Sequence, residues 1–325
     1  MSARLIIDPR LRSAELQSRA RQQLSEGLTA RPASIPCSYL YDALGSLLFA
    51  AITELPEYYP TRTEAALMSR HAAHIARLVS ATDMLVDLGA GDCKKGARLL
   101  SSLPPAAYLA IDVSRDCLVA GAQAVARDFP GIAVTAYVTD FSSGVQWPDG
   151  MRCERPLFFY PGSSIGNFSP DDAQRFLGGL AGAGHKTTEE RLLLAGVDLV
   201  KPVPMLEAAY ADALGLTACF NLNLLRNVNQ ALGADFDVRQ FRHRAVFDHR
   251  HSRIEMSLVS QRAQMVCWPG ARRHFDEGEL IITEHSYKYT IPDADDLLHS
   301  SGFEMLHRWT DDDESYLLCI ARSVC

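Results

Sequence analysis

From residue 84 onward, hydrophobic and polar positions alternate in blocks. Short apolar runs occupy Met84–Leu88 and residues 108–111, 132–138, 157–160 and 192–197, and between them stretches such as 114–127 and 170–180 repeat apolar residues at three- and four-residue spacing. The short runs predict buried strands and the wider spacing predicts amphipathic helices. Strand and helix in alternation predict an α/β fold, a parallel sheet with helices on both faces. Ligands of such sheets bind beyond the carboxyl ends of the strands, where the strand order reverses.

The flanking regions read differently. Residues 11–28 predict an amphipathic helix, followed by a proline-interrupted linker over 31–36, a second helix over 39–52 and a rigid loop, Leu55-Pro56-Glu57-Tyr58-Tyr59-Pro60. Thr61-Arg62-Thr63-Glu64 matches a capping box and predicts a helix from there to about Val79. After residue 200 the rhythm breaks into one long helical stretch over 205–232 and extended runs over 253–265 and 279–289. A helix over 291–300 and a final strand over 316–321 complete the reading. The expected division is a sheet domain of residues 61–199 plus 288–325 and a second domain of residues 1–60 plus 200–287.

Composition narrows the function. At 325 residues the chain is one large domain or two joined ones. Apolar residues at 47% and charged residues at 22% are ordinary for a globular protein, and the net charge of -7 opposes a non-specific nucleic-acid binder or a polybasic membrane adherer. The expected partner is a small molecule, with no nucleic acid and no membrane, and a monomer is expected. No apolar run is long enough to span a bilayer and no leader pattern follows Met1, so a cytoplasmic location is expected. The eight cysteines form no C-x-x-C pair and predict buried, reduced thiols. No metal is expected: His249 and His251 lie among arginines, in what reads as a solvated turn.

Asp87-Leu88-Gly89-Ala90-Gly91 follows the first strand of the alternation, where glycines admit backbone amides close to a ligand. The third glycine of a dinucleotide fingerprint is replaced by Lys94, which counts against NAD. Asp112 ends the next strand and Asp140-Phe141 the one after. Acids at successive strand ends suit ribose hydroxyls and a cationic amino-acid tail, as in S-adenosylmethionine, although an Asp there is also a good helix cap.

The whole chain from about Leu28 to Ala321 resembles one family, the L-histidine Nα-methyltransferases of ergothioneine biosynthesis. The resemblance rests on Tyr41-Asp42-Ala43-Leu44-Gly45-Ser46, on Leu55 through Glu64, on Gly162-Ser163-Ser164-Ile165-Gly166-Asn167, on Phe220-Asn221-Leu222-Asn223-Leu224-Leu225, on Ile254-Glu255-Met256 and on Thr283-Glu284-His285-Ser286-Tyr287-Lys288-Tyr289. It implies a class I methyltransferase fold, a Rossmann-like sheet, with a second, substrate-binding domain made of the N-terminal helices and an insertion. It implies S-adenosylmethionine as methyl donor and L-histidine as substrate, methylated on the α-amino nitrogen up to the trimethylated betaine. The alternatives are a ring nitrogen of histidine or another aromatic amino acid.

By the resemblance, Asn167 and Tyr210 hold the substrate carboxylate, Glu284 and Ser286 hold the imidazole, Met256 lines the ring pocket and Tyr41 lies near the amine as the catalytic candidate. Gly89, Lys95, Asp112, Asp140 and Phe141 take the cofactor positions. Tyr41, Phe49, Tyr58 and Tyr59 are candidates for an aromatic wall around a quaternary ammonium product. Two departures from the family pattern touch the cofactor side: Asp92-Cys93-Lys94 before Lys95, and Tyr160-Pro161 before Gly162. Structural readings stand beside these roles: Tyr58 and Tyr59 as loop staples, Tyr210 as core, Asn167 as a turn residue, and Glu284 as the partner of Lys288. A silent cofactor-binding protein and an NAD-dependent oxidoreductase are the readings from other classes.

Overall fold

The computed structural model describes residues 2–8, 14–80, 82–141, 144–145, 147–151, 153–182 and 191–324. In chain order the first half contains β1 (Arg4–Ile7), α1 (Ala14–Thr29), β2 (Ala33–Ser34), α2 (Ala43–Ile52), α3 (Tyr59–Leu78), β3 (Met84–Leu88), α4 (Lys94–Leu100), β4 (Ala107–Asp112), α5 (Arg115–Asp128), β5 (Ala133–Val138) and β6 (Pro156–Tyr160). There follow α6 (Pro170–Gly182), β7 (Leu192–Asp198), α7 (Val203–Tyr210), α8 (Leu216–Leu232), β8 (Phe241–Asp248), β9 (Arg253–Ser260), β10 (Gln264–Trp268), β11 (Ala271–Phe275), β12 (Leu280–Tyr287), α9 (Ile291–Ser300), β13 (Phe303–Thr310) and β14 (Tyr316–Ser323). Contacts divide the chain into two units, Met1–Asp8 with Pro60–Val200 and Tyr287–Cys325, and Pro9–Tyr59 with Lys201–Ser286.

The first unit is built on one sheet of order β1-β5-β4-β3-β6-β7-β14-β13. Strands β1 to β7 in that row run parallel, and β14 and β13 close the far edge antiparallel. From β3 the chain builds outward to β4 and β5 on one side and to β6 and β7 on the other, so the strand order reverses between β3 and β6. This is the Rossmann-like class I methyltransferase arrangement. Its central strands are apolar on both faces because both are covered: Leu85, Leu157 and Leu194 pack in one core with Ile75 of α3, Leu99 of α4 and Leu118 of α5, and Val86, Phe158 and Leu193 pack in the other with Phe176 of α6 and Leu298 of α9. Strand β1 lies on the edge beside β5, so residues 2–8 belong to the sheet and not, as expected, with residues 9–60.

The second unit carries a sheet of order β2-β12-β9-β8 and the hairpin β10–β11. Leu224 and Val228 of α8, Leu24 and Leu28 of α1, Ile254 and Leu258 of β9 and Ile281 of β12 form its core.

Several boundaries differ from the sequence reading. The expected helix over 39–52 begins with a 3-10 turn at Cys37–Leu40, and α2 starts only after Asp42, whose Oδ1 accepts from Gly45 N at 2.7 Å. The stretch over 205–232 is two helices. Asp212 separates them, its carboxylate accepting from Leu216 N at 2.9 Å and Thr217 N at 2.8 Å to cap α8. The run over 253–265 breaks between β9 and β10, and β1, β2, β8, β11 and β13 were not expected at all. Helix α3 starts at Tyr59, so Thr61-Glu64 lies inside it and is no capping box. Residues 11–13 of the first expected helix lie outside the described residues. Cys219 and Cys267 are exposed, against the expectation of burial, while Cys93 and Cys319 are buried; the described cysteines are free thiols. No helix among the described residues is long and apolar enough to cross a membrane.

Candidate active site

In the first unit two of the acids expected at strand ends, Asp112 and Asp87, are tied into the glycine loop and the sheet. Asp112, at the end of β4, accepts from Gly91 N at 2.9 Å through one oxygen and from Ser114 N at 2.7 Å through the other. One carboxylate thus fixes the loop after β3 and the start of α5. Burial pushes its carboxyl above the usual range, against the pull of those two amides. Gly89 adopts φ +72°, the left-handed region that favours glycine, and a Cβ there would stand 3.7 Å from Cζ of Phe141. The ring of Phe141 therefore lies beside an exposed stretch of backbone, and Asp140 next to it is exposed. Phe141 is itself braced by Phe176, at 5.9 Å between ring centroids, and by Tyr160, at 6.3 Å.

Asp87 is buried at the end of β3, and Tyr108 Oη donates to its Oδ2 at 2.7 Å. Burial outweighs that hydrogen bond and the nearby Lys95, and the carboxyl is pushed up to about 7. Lys95, expected at the cofactor, has its Nζ 2.7 Å from Glu64 Oε2. Glu64 also accepts from Gly162 N and from Tyr316 Oη, both at 2.7 Å through Oε1. The sequence signal for this residue was present and misread: Glu64 stands on the same helical stripe as Leu67, Met68 and Ile75, which places it on the buried face of α3.

Asn167 ends a 3-10 turn over Ser164–Asn167 and is half-buried. The turn hangs from Gly162, held by Glu64, and from Ser163, whose Oγ accepts from Asp198 N at 2.8 Å. Gly162 has φ +76°, and a Cβ there would come within 2.9 Å of Lys95 Nζ.

The second unit gathers the expected ring-binding residues. Tyr41 packs edge-on against Phe49 and Phe220, with centroids 5.6 and 5.5 Å away. Phe49 continues to Tyr58 at 5.9 Å, and Tyr58 to Tyr210 at 6.4 Å. Burial holds the Tyr41 phenol well above its ordinary value, and Glu284, the next contributor, pushes in the same direction, followed by Tyr58. Tyr210 and Ser286 are buried and their hydroxyls lie 2.8 Å apart, while buried Met256 belongs to the same apolar cluster as Tyr210 and Phe220. Tyr59 belongs to the same apolar cluster, and Lys201 Nζ donates to its hydroxyl at 2.7 Å and lies 4.3 Å from its ring centroid.

Lys288, read as the structural partner of Glu284, has Asp198 beside it. The ammonium of Lys288 lies 2.9 Å from Asp198 Oδ2 in a pair that is almost wholly buried. His251, read as a turn residue, is 2.6 Å from Asp248, and no group of three or more His, Cys, Asp and Glu side chains among the described residues is arranged to hold a metal.

Residues 20–323 match the family described as histidine-specific methyltransferase, SAM-dependent. The chain is 38% identical to the histidine N-alpha-methyltransferase of Mycolicibacterium smegmatis over 93% of its own length and 94% of the relative's. It is equally similar, over the same shares, to the histidine N-alpha-methyltransferase of Mycobacterium tuberculosis. It is 29% identical to ergothioneine biosynthesis protein 1 of Neurospora crassa, where 90% of this chain aligns with 33% of a longer protein. With a doubly covered sheet, a glycine loop pinned by Asp112 and a match over nearly its whole length, the chain belongs to the histidine-specific, S-adenosylmethionine-dependent methyltransferases.

Proposed function

We propose that this chain transfers methyl groups from S-adenosylmethionine to the α-amino nitrogen of free L-histidine, as far as the trimethylated betaine. The reading is supported by one observation: Tyr41, Phe49, Tyr58 and Tyr210 form a run of ring contacts in the unit that also buries Met256 and Phe220, with the Ser286 hydroxyl 2.8 Å from that of Tyr210. A neutral imidazole has one donor and one acceptor nitrogen. Glu284 and the Ser286 hydroxyl satisfy such a ring, and the aromatic wall suits a substrate that becomes a quaternary cation.

Gly89, Asp112, Asp140 and Phe141 fit the donor, since they offer left-handed backbone, two carboxylates and an aromatic face at neighbouring strand ends. Bound there, S-adenosylmethionine supplies an electrophilic methyl group on a sulfonium. The displacement needs little covalent help, so orientation of a neutral amine supplies most of the rate. Tyr41 stays protonated at neutral pH, because its phenol is held above the ordinary range, and therefore orients the amine and does not take its proton as a phenolate. The proton leaves to water.

Mass spectrometry of products from L-histidine, 1-methylhistidine, 3-methylhistidine and tryptophan tests the proposal. The expected result is three successive methyl additions to histidine, all located on the α nitrogen by fragmentation. Methylation of a ring nitrogen, or preferred turnover of tryptophan, overturns it.

A further inference from the structure

Glu64 carries three polar hydrogens on one carboxylate. Its side chain is 1% exposed, and its partners come from three separate elements: Lys95 from α4, the Gly162 amide from the loop after β6 and the Tyr316 hydroxyl from β14. Two of these lead directly to groups with assigned roles. Lys95 occupies a cofactor position, and Gly162 opens the turn that ends in Asn167. A carboxylate so buried is retained only when fully bonded, and here each oxygen has a donor at 2.7 Å. The absence of a side chain at Gly162 leaves room for the Lys95 ammonium, which a Cβ would approach to 2.9 Å.

We propose that Glu64 is a positioning residue: through one oxygen it fixes the Lys95 ammonium at the donor site, and through the other it anchors the turn bearing Asn167. The proposal rests on the methyltransferase reading above for the roles of Lys95 and Asn167. Neither a bare packing role nor a helix cap calls for this geometry, since α3 has its own first turn two residues before Thr61.

Glu64→Gln separates the two arms. The amide oxygen still accepts from Gly162 and Tyr316, but the amide NH2 then faces the Lys95 ammonium, donor against donor. The expected result is at least a tenfold weaker Kd for S-adenosylhomocysteine by calorimetry, and a matching rise in KM for S-adenosylmethionine, with KM for histidine within about twofold. In a Lys95→Met background the same substitution should weaken cofactor binding no further. Tyr316→Phe, which removes a donor to the same carboxylate but touches neither Lys95 nor Gly162, should lower Tm without moving Kd. An unchanged Kd in Glu64→Gln, additive losses in the double variant, or an equal loss in Tyr316→Phe overturns the proposal. Should Glu64→Gln fail to fold, Glu64→Asp is read in the same way, and Lys95→Met alone decides if neither folds: unchanged cofactor affinity overturns the proposal and a tenfold loss supports it. Turnover of histidine by the unaltered protein is scored separately. Its absence removes the substrate reading and leaves the affinity cycle standing.

Discussion

The hydroxyls of Tyr210 and Ser286 share one buried hydrogen bond of 2.8 Å, although the family resemblance assigns one to each end of the substrate. Without substrate the pair is therefore a structural contact. Tyr210→Phe and Ser286→Ala each leave the other hydroxyl buried, so their losses in stability should not add. Urea unfolding of the two single variants and the double variant should give a coupling of about 1 kcal/mol. Both single variants should also raise KM for histidine. Strict additivity would mean that the two hydroxyls do not interact in solution.

Glu284→Ala tests the choice of amino acid. With the carboxylate gone, kcat/KM for histidine should fall by roughly 2–3 kcal/mol, the scale of a lost charge-assisted hydrogen bond, and affinity for the methyl donor should stay unchanged. Steady-state kinetics with histidine and tryptophan side by side provide the check. Tryptophan, which never used the carboxylate, should lose less.

Lys288 and Asp198 form a buried ion pair within the first unit, and removing one member takes a counter-charge from the other in a site shielded from water. Lys288→Met should cost about 3–5 kcal/mol in urea unfolding, whereas Lys288→Met with Asp198→Leu should recover much of that loss. A single variant as stable as the parent would show that water reaches the pair.

The carboxyl of Asp87 is raised by burial to about 7, so the folded protein binds its proton more tightly than the unfolded chain does. That stabilisation is full below about pH 4, the unfolded value, and is lost as the pH rises through about 7. Asp87→Asn keeps an acceptor for Tyr108 and removes the charge. In the cofactor-free protein its Tm advantage over the parent should therefore grow between pH 5 and pH 8.5, as followed by calorimetry. A difference independent of pH would place the titration elsewhere.

The parallel strands β3 to β7 were legible because strands covered on both faces are short, continuous apolar runs, every residue of β3, β6 and β7 being buried, whereas the parallel edge strand β1, exposed at Arg4 and Leu5, was not. Strand β13 was not, since its residues alternate between buried Phe303 and Trp309 and exposed Glu304, Leu306 and Arg308, and β8 carries His243, Arg242 and Arg244 on a half-covered surface. The two helices α7 and α8 merged in the reading because the break depends on a side chain capping a backbone four and five residues ahead, at Asp212, which apolar spacing does not register. Among the candidate site residues, Tyr41, Tyr58 and Tyr210 are linked by ring contacts through Phe49, and Tyr59 in the same apolar cluster also takes a hydrogen bond from Lys201. Glu284 on its strand and Lys288 just past it share alternation, but β12 ends at Tyr287 and the Lys288 ammonium pairs with Asp198, which alternation does not register. Periodicity gives the side of a strand; it does not give what waits there.

Leu199 and Tyr289 form a bridge, with Tyr289 N donating to Asp198 O at 3.2 Å and Val200 N to Tyr289 O at 2.9 Å. The chain thus leaves the first unit and re-enters it at adjoining points. Seen from the large sheet, residues 201–286 are a loop whose two ends are already tied together. Such an excursion can change without moving β7 against β14, because no strand of the large sheet has to shift register to accommodate it, provided its packing on α1 and its pairing with β2 are kept. Chimaeras between relatives that exchange residues 9–59 together with 201–286 therefore move one packed unit whole and leave the strand order of the large sheet intact.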